Sequence, residues 1–237
     1  MGWREILPFV AAQVGAQRPD VSHAHHNPIV SKNPWLNKNS WFPEVMGGHW
    51  NSSNYVINFG AHYETRKPER DIDDVVSEHM RSNAAIGLAV DADDPMKWAG
   101  KNIVRRTQFL VPDGVAALLD GAGCPAMPRL LKVDIGSFDV VVVRAVLSVR
   151  KPAFVYVEIN EKFPPPVCYC NDRYLKRWRR LDGDAYGCSL LGYVEALRPF
   201  GYALVSVALN DALFARGDVQ AEVARRLPGR KLPTPLA

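Results

Sequence analysis

From Tyr55 onward, short apolar runs rich in β-branched residues alternate with longer stretches whose apolar positions recur with a helical period. Tyr55-Val56-Ile57-Asn58-Phe59 predicts a strand, residues 71–83 with acids in their first turn predict a helix, and residues 86–90 predict a second strand. Pro95 suits the first turn of a short helix, Ile103-Val104 predicts a weak strand, and residues 112–119 predict a helix closed by Gly121. The strongest strand signal is Leu130-Leu131-Lys132-Val133-Asp134-Ile135, followed by a predicted helix over 138–147 and a strand over 154–159. Such runs are apolar on both faces, as central strands of a parallel sheet must be when helices cover each side.

A loop-rich insertion then spans 160–187, with Pro164-Pro165-Pro166 and the basic run Lys176-Arg177-Trp178-Arg179-Arg180. Beyond it the pattern predicts a helix over 189–199, a strand over 202–207, a return strand over 212–215 and a final helix over 219–226. Asn210-Asp211 is a compact hairpin signal between the two strands. Repeated β-α units followed by an antiparallel hairpin predict an α/β fold: an open, mostly parallel, doubly wound sheet with its last strand reversed.

Residues 1–54 have a different texture. They carry four of the six tryptophans and four of the six histidines without sustained periodicity. This reads as an irregular arm whose rings wrap over the core, or as a docking surface for protein partners in a complex. The expected organisation is an arm over 1–54, an α/β domain over 55–227 and a Pro-rich tail over 228–237.

A length of 237 residues suits one domain with an elaborated end, and 47% hydrophobic with 23% charged residues excludes disordered and fibrous classes. Asp139 and Arg144 interrupt one long apolar stretch and Pro8 and Gln13 another, so no membrane helix is expected. The net charge of +4 allows an anionic partner but lacks the concentrated basic field of a nucleic-acid binder, and the 176–180 run reads as a solvated face. Four cysteines without a C-x-x-C pair read as mostly reduced and make a poor zinc set. His23-Ala24-His25-His26 reads as an exposed loop, so no metal site is expected. Glu5 and a short apolar core make residues 1–16 a poor secretory signal, which leaves the cytoplasm and an organellar lumen or matrix both open.

In doubly wound sheets ligands bind beyond the carboxyl ends of the strands. The residues closing the predicted strands are Asn58-Phe59-Gly60-Ala61-His62-Tyr63-Glu64, Asp91, Asp134 and Glu158-Ile159-Asn160. A small-residue turn admits a cofactor close to backbone amides, and an acid ending the second strand can accept hydrogen bonds from two ribose hydroxyls. The pattern suggests a nucleoside-containing cofactor, whereas the absence of G-x-G-x-x-G and G-x-x-x-x-G-K-[ST] lowers NAD and ATP.

The run from Leu130 through Lys132, Asp134, Gly136 and Ser137 to Asp139 resembles the lLKiDiEGaE signature of FkbM-type methyltransferases, particularly divergent eukaryotic members. Asn58-Phe59-Gly60-Ala61 resembles that family's D-x-G-A loop, Gly87 to Asp91 its second-strand end, and Phe154 to Asn160 its following strand, which here runs on into Pro164-Pro165-Pro166. The resemblance covers about 55–216 and implies a Rossmann-like class I methyltransferase fold that binds S-adenosylmethionine and methylates a hydroxyl of a carbohydrate or small metabolite. It implies cofactor contacts at Asn58, Gly60, Ala61 and Asp91, with Asp134, Glu158 and His62 as candidate catalytic bases. Asn160 and Asp139 are the candidates for binding the acceptor.

Simpler roles stand beside these: Asp134 as a helix cap, Glu158 as an ion-pair partner of Lys132 or Arg150, and His62 as a loop residue. Asn58, Glu64 and Gly136 depart from the family's pattern. They favour an alternative in which a catalytically inactive methyltransferase-like domain serves as a structural or binding subunit of a larger complex.

Overall fold

The computed structural model describes residues 41–61, 75–82, 84–92, 100–172, 186–208 and 210–226. The apolar runs become strands β1 (Tyr55–Phe59), β2 (Ile86–Asp91), β3 (Ile103–Thr107), β4 (Leu130–Val133), β5 (Phe154–Glu158), β6 (Tyr202–Ala208) and β7 (Asp211–Arg216). They join in one sheet in the order β3-β2-β1-β4-β5-β7-β6. Pairs β1–β2, β1–β4, β2–β3 and β4–β5 are parallel, while β7 is antiparallel to both β5 and β6, so β7 alone is reversed. This is the strand order of the Rossmann-like class I methyltransferase fold.

Helices cover both faces, which is why β1 and β4 are buried along their whole length. On one face α3 (Val115–Gly121), α4 (Asp139–Val149) and α5 (Leu190–Leu197) pack against Ile57, Phe59, Leu131, Val133, Val155 and Val157. On the other, α1 (Phe42–Gly47), α2 (Val75–Arg81) and α6 (Gln220–Arg226) meet Val56, Ala89, Leu130, Phe154 and Tyr156. The two sets alternate along each strand, as the period of two requires. No helix among the described residues is long and apolar enough to cross a membrane.

Several boundaries differ from the sequence reading. The weak strand at Ile103-Val104 extends to Thr107, because β3 is an edge strand whose Arg105, Arg106 and Thr107 face solvent and carry no apolar signal. The helix over 112–119 starts with a 3-10 turn at Pro112–Gly114 and runs through Gly121; the left-handed residue that follows it is Gly123, at φ 65°. Ser189 caps α5 by accepting the Gly192 N–H. Cys170 and Cys188, expected to be reduced, form a disulfide, since an antiparallel bridge sets them opposite each other across 18 residues of sequence. Cys124 and Cys168 are free thiols. Residues 71–74 of the predicted helix, Pro95 and the 176–180 run lie outside the described residues.

Trp41 and Trp50 are buried, with ring centroids 4.8 Å from Tyr156 and 5.0 Å from Phe154 respectively. The buried Arg129 ties this stretch down by donating to five acceptors: the carbonyls of Val45, Met46 and Gly48, Ser52 Oγ and Asn54 Oδ1. Trp3 and Trp35 lie outside the described residues.

Candidate functional site

Strand order reverses at β1, which has β2 on one side and β4 on the other, so the carboxyl ends of β1 and β4 form the switch point where such sheets bind ligands. There the chain turns sharply. Gly60 and Ala61 both donate their N–H to the Val90 carbonyl, at 3.0 and 3.2 Å, and the Asp134 N–H donates to the Phe59 carbonyl at 3.0 Å. Gly60 has φ 80°, and a Cβ on it would stand 1.7 Å from the Asp134 carbonyl oxygen. The glycine is thus demanded by the protein's own backbone, and Ala61 beside it is wholly buried.

Asn58, also wholly buried, donates its Nδ2 to Ser77 Oγ of α2 at 3.0 Å. Its Oδ1 has no hydrogen-bond partner among the described residues. Asp91 closes β2 half-buried, and its carbonyl accepts the Gln108 N–H at 2.8 Å.

Four acids converge at the ends of β4, β5 and β7 and at the start of α4. Asp134 follows β4 and pairs with Lys132 at 3.6 Å. Asp139 turns inward and accepts the N–H groups of Ile135 and Ser137, each at 2.9 Å, so the loop is folded around its carboxylate. No side chain caps α4, so Asp134 does not take the capping role open to it, and Asp139, the first residue of that helix, is buried beneath the loop. Burial pushes its pKa up to about 6 against those two hydrogen bonds, and the Asp134 charge adds to the rise.

Glu158 ends β5 opposite Asp211 of β7 and accepts the Asn210 Nδ2–H on Oε1 at 2.9 Å. Burial, helped by the charges of Asp134, Asp139 and Asp211, raises its pKa to about 8, and the Asn210 hydrogen bond opposes the rise. Arg150, one proposed partner of Glu158, is paired with Asp120 instead. Nearby, the buried Tyr193 hydroxyl and Ser137 Oγ have no hydrogen-bond partners among the described residues. The charges of Asp139, Glu158 and Asp134, after burial itself, hold the Tyr193 hydroxyl well above its ordinary pKa.

Asn160 is spent on its own loop. Its N–H donates to the Cys188 carbonyl at 2.7 Å, its Nδ2 to the Tyr186 carbonyl at 2.9 Å, and its Oδ1 accepts the Lys162 N–H at 3.2 Å. His62 lies outside the described residues. The structure thus gathers Asp134, Asp139 and Glu158 and seats Asn160 in the adjoining wall, while Asn58, Gly60, Ala61 and Asp91 sit at the ends of β1 and β2. Sequence reasoning missed Asn210 and Tyr193. The reversed last strand carried a signal for Asn210, because it returns the hairpin turn to the end of β5. A tyrosine within an apolar helix carried none.

A cavity of about 330 Å³ lies at the opposite end of the sheet, lined by Arg150, Arg216, Phe200 and Tyr202 among others. Three of its polar side chains are committed within the fold: Arg150 to the Cys124 carbonyl and Asp120, Arg216 to the Asn51 carbonyl and Asp218, and Tyr202 to the Pro152 carbonyl. The acids lie at the other end of the sheet, where Glu158, its pKa raised to about 8 by burial and the neighbouring acids, closes β5 beside β4.

No protein-family model and no curated protein matches the sequence. Among solved structures, the MycE methyltransferase from the mycinamycin biosynthetic pathway, in complex with Mg and SAH, aligns at 15% identity and a TM-score of 0.48 over 90% of this chain and 62% of that one. The same methyltransferase with Mg, SAH and mycinamycin VI aligns at 11% identity and a TM-score of 0.47, over 92% and 62%. This chain spans under two thirds of those proteins' length, and the fold assignment rests on its own strand order.

Proposed function

We propose that this chain is an S-adenosylmethionine-dependent O-methyltransferase of FkbM type, acting on a hydroxyl of a carbohydrate or small metabolite. The observation that carries the reading is Glu158: a carboxyl at the carboxyl end of β5, whose proton affinity is raised into the range where a general base works best. Support for the cofactor comes from Asn58 Oδ1, a buried acceptor without a donor among the described residues, which is the kind of atom an ammonium group satisfies. Asp91, ending β2, is the acid suited to hold two ribose hydroxyls.

The cofactor supplies a methyl group on a sulfonium that leaves without acid assistance. The protein's part is placement and proton removal. Glu158 accepts the acceptor's hydroxyl proton, and Lys132, paired with Asp134 at 3.6 Å, is the cation among these acids. Asp139 holds the loop between β4 and α4, and Asn160 holds the wall beside it. The test is transfer of a labelled methyl group from S-adenosylmethionine to a panel of hydroxylated sugars and small metabolites. Transfer that Glu158→Gln abolishes in a folded protein supports the reading, and equal transfer by wild type and variant removes Glu158 as the base.

A second reading is favoured by the turn after β1. The Gly60 and Ala61 amides are both committed to Val90, and the space beside Gly60 is filled by Asp134. With no backbone cradle in that turn, the chain would serve as a methyltransferase-like subunit without catalysis. A folded chain that binds no S-adenosylmethionine favours this alternative.

A further inference from the structure

We propose that Asn210 is a positioning residue for Glu158, fixing which carboxylate oxygen exchanges a proton at the end of β5. This deepens the reading of Glu158 as the base and rests on it. Asn210 grips β5 at two points: its Nδ2 donates to Glu158 Oε1 at 2.9 Å, and its carbonyl accepts the Ile159 N–H at 2.6 Å. The grip follows from topology, because the reversed β7 pairs Asp211 with Glu158 and so delivers the preceding turn residue to the end of β5. An oxygen that already accepts an amide N–H competes poorly for a proton, so the proton rests on Oε2, and Oε2 is the atom that takes the proton from an acceptor hydroxyl.

The grip also works against its surroundings. The groups facing Glu158 are Asp134 after β4, Asp139 on α4, Asp211 on β7 and Tyr193 on α5, with Lys132 on β4 as the cation paired to Asp134. The acids disfavour a charged Glu158, whereas the Asn210 hydrogen bond favours it. Without that bond, Glu158 keeps its proton to higher pH and the base is less available near neutrality.

The test is a ¹³C NMR titration of the Glu158 carboxyl in the full chain, with its signal assigned by Glu158→Gln. Asn210→Ala removes the donor but keeps the backbone carbonyl that holds Ile159. Asn210→Asp is isosteric, cannot donate when ionised and adds a charge. The Glu158 midpoint moves up by roughly half a pH unit or more in the first variant and further in the second. Midpoints unchanged in both folded variants overturn the proposal, and where Asn210→Ala fails to fold, the isosteric variant decides alone. The titration needs neither cofactor nor acceptor. A shifted midpoint without methyl transfer keeps the positioning role while removing the base reading, and methyl transfer with an unshifted midpoint does the reverse.

Discussion

The backbone of Gly60 lies against that of Asp134, so closely that a Cβ on Gly60 would meet the Asp134 carbonyl oxygen at 1.7 Å. This contact locks the end of β1 to the end of β4 at the switch point. Gly60→Ala meets both a left-handed φ and a backbone clash that no rotamer relieves. The variant loses roughly 3 kcal/mol or more of stability. Urea denaturation checks this, and a midpoint equal to wild type would refute it.

Glu158 and Asp139 make stability depend on pH. Both have folded pKa values raised above their ordinary ones, to about 8 and about 6, so each favours the folded state through its protonated form. That contribution is fully present below the ordinary carboxylate range and is lost as pH rises through 6 and then 8. Thermal midpoints therefore fall between mildly acidic and mildly alkaline buffer, and Glu158→Gln removes the upper part of the fall, worth a few kcal/mol at most. A variant whose midpoint follows pH as steeply as wild type contradicts the assignment.

Arg129 holds residues 45–54 through five acceptors while nearly excluded from solvent. Truncation removes this donor from all five, and among the described residues only the Val45 carbonyl keeps another, the Trp50 indole N–H at 2.8 Å. Arg129→Ala loses on the order of 3 kcal/mol and opens this stretch to limited proteolysis ahead of the sheet. Cleavage at the wild-type rate counts against the keystone role.

Asp91, which ends β2, is the acid proposed to hold the ribose. Asp91→Ala weakens S-adenosylmethionine binding by more than tenfold, about 1.4 kcal/mol, as read by calorimetry on folded protein. Unchanged affinity removes Asp91 from the cofactor site.

The strands legible in the sequence were those buried on both faces, such as β1, β4 and β5, because double burial leaves an unbroken apolar run. The edge strand β3 was half legible, since Arg105, Arg106 and Thr107 answer to solvent. At the site, the acids were visible as strand-end residues, but spacing could not say which one turns inward. Asp139 does so because the positive-φ Gly136 lets the loop close over its carboxylate. Asn210 read fully as a turn residue, so nothing in its local pattern required a second role. The Cys170–Cys188 pair was hidden by an 18-residue separation that an antiparallel bridge in the folded chain closes.

The central claim is that the ends of β1, β2, β4 and β5 form a working methyltransferase site. Calorimetric titration of the purified chain with S-adenosylmethionine and S-adenosylhomocysteine tests it most directly. The account predicts saturable binding in the micromolar range, about −8 kcal/mol. A folded chain that binds neither would contradict it.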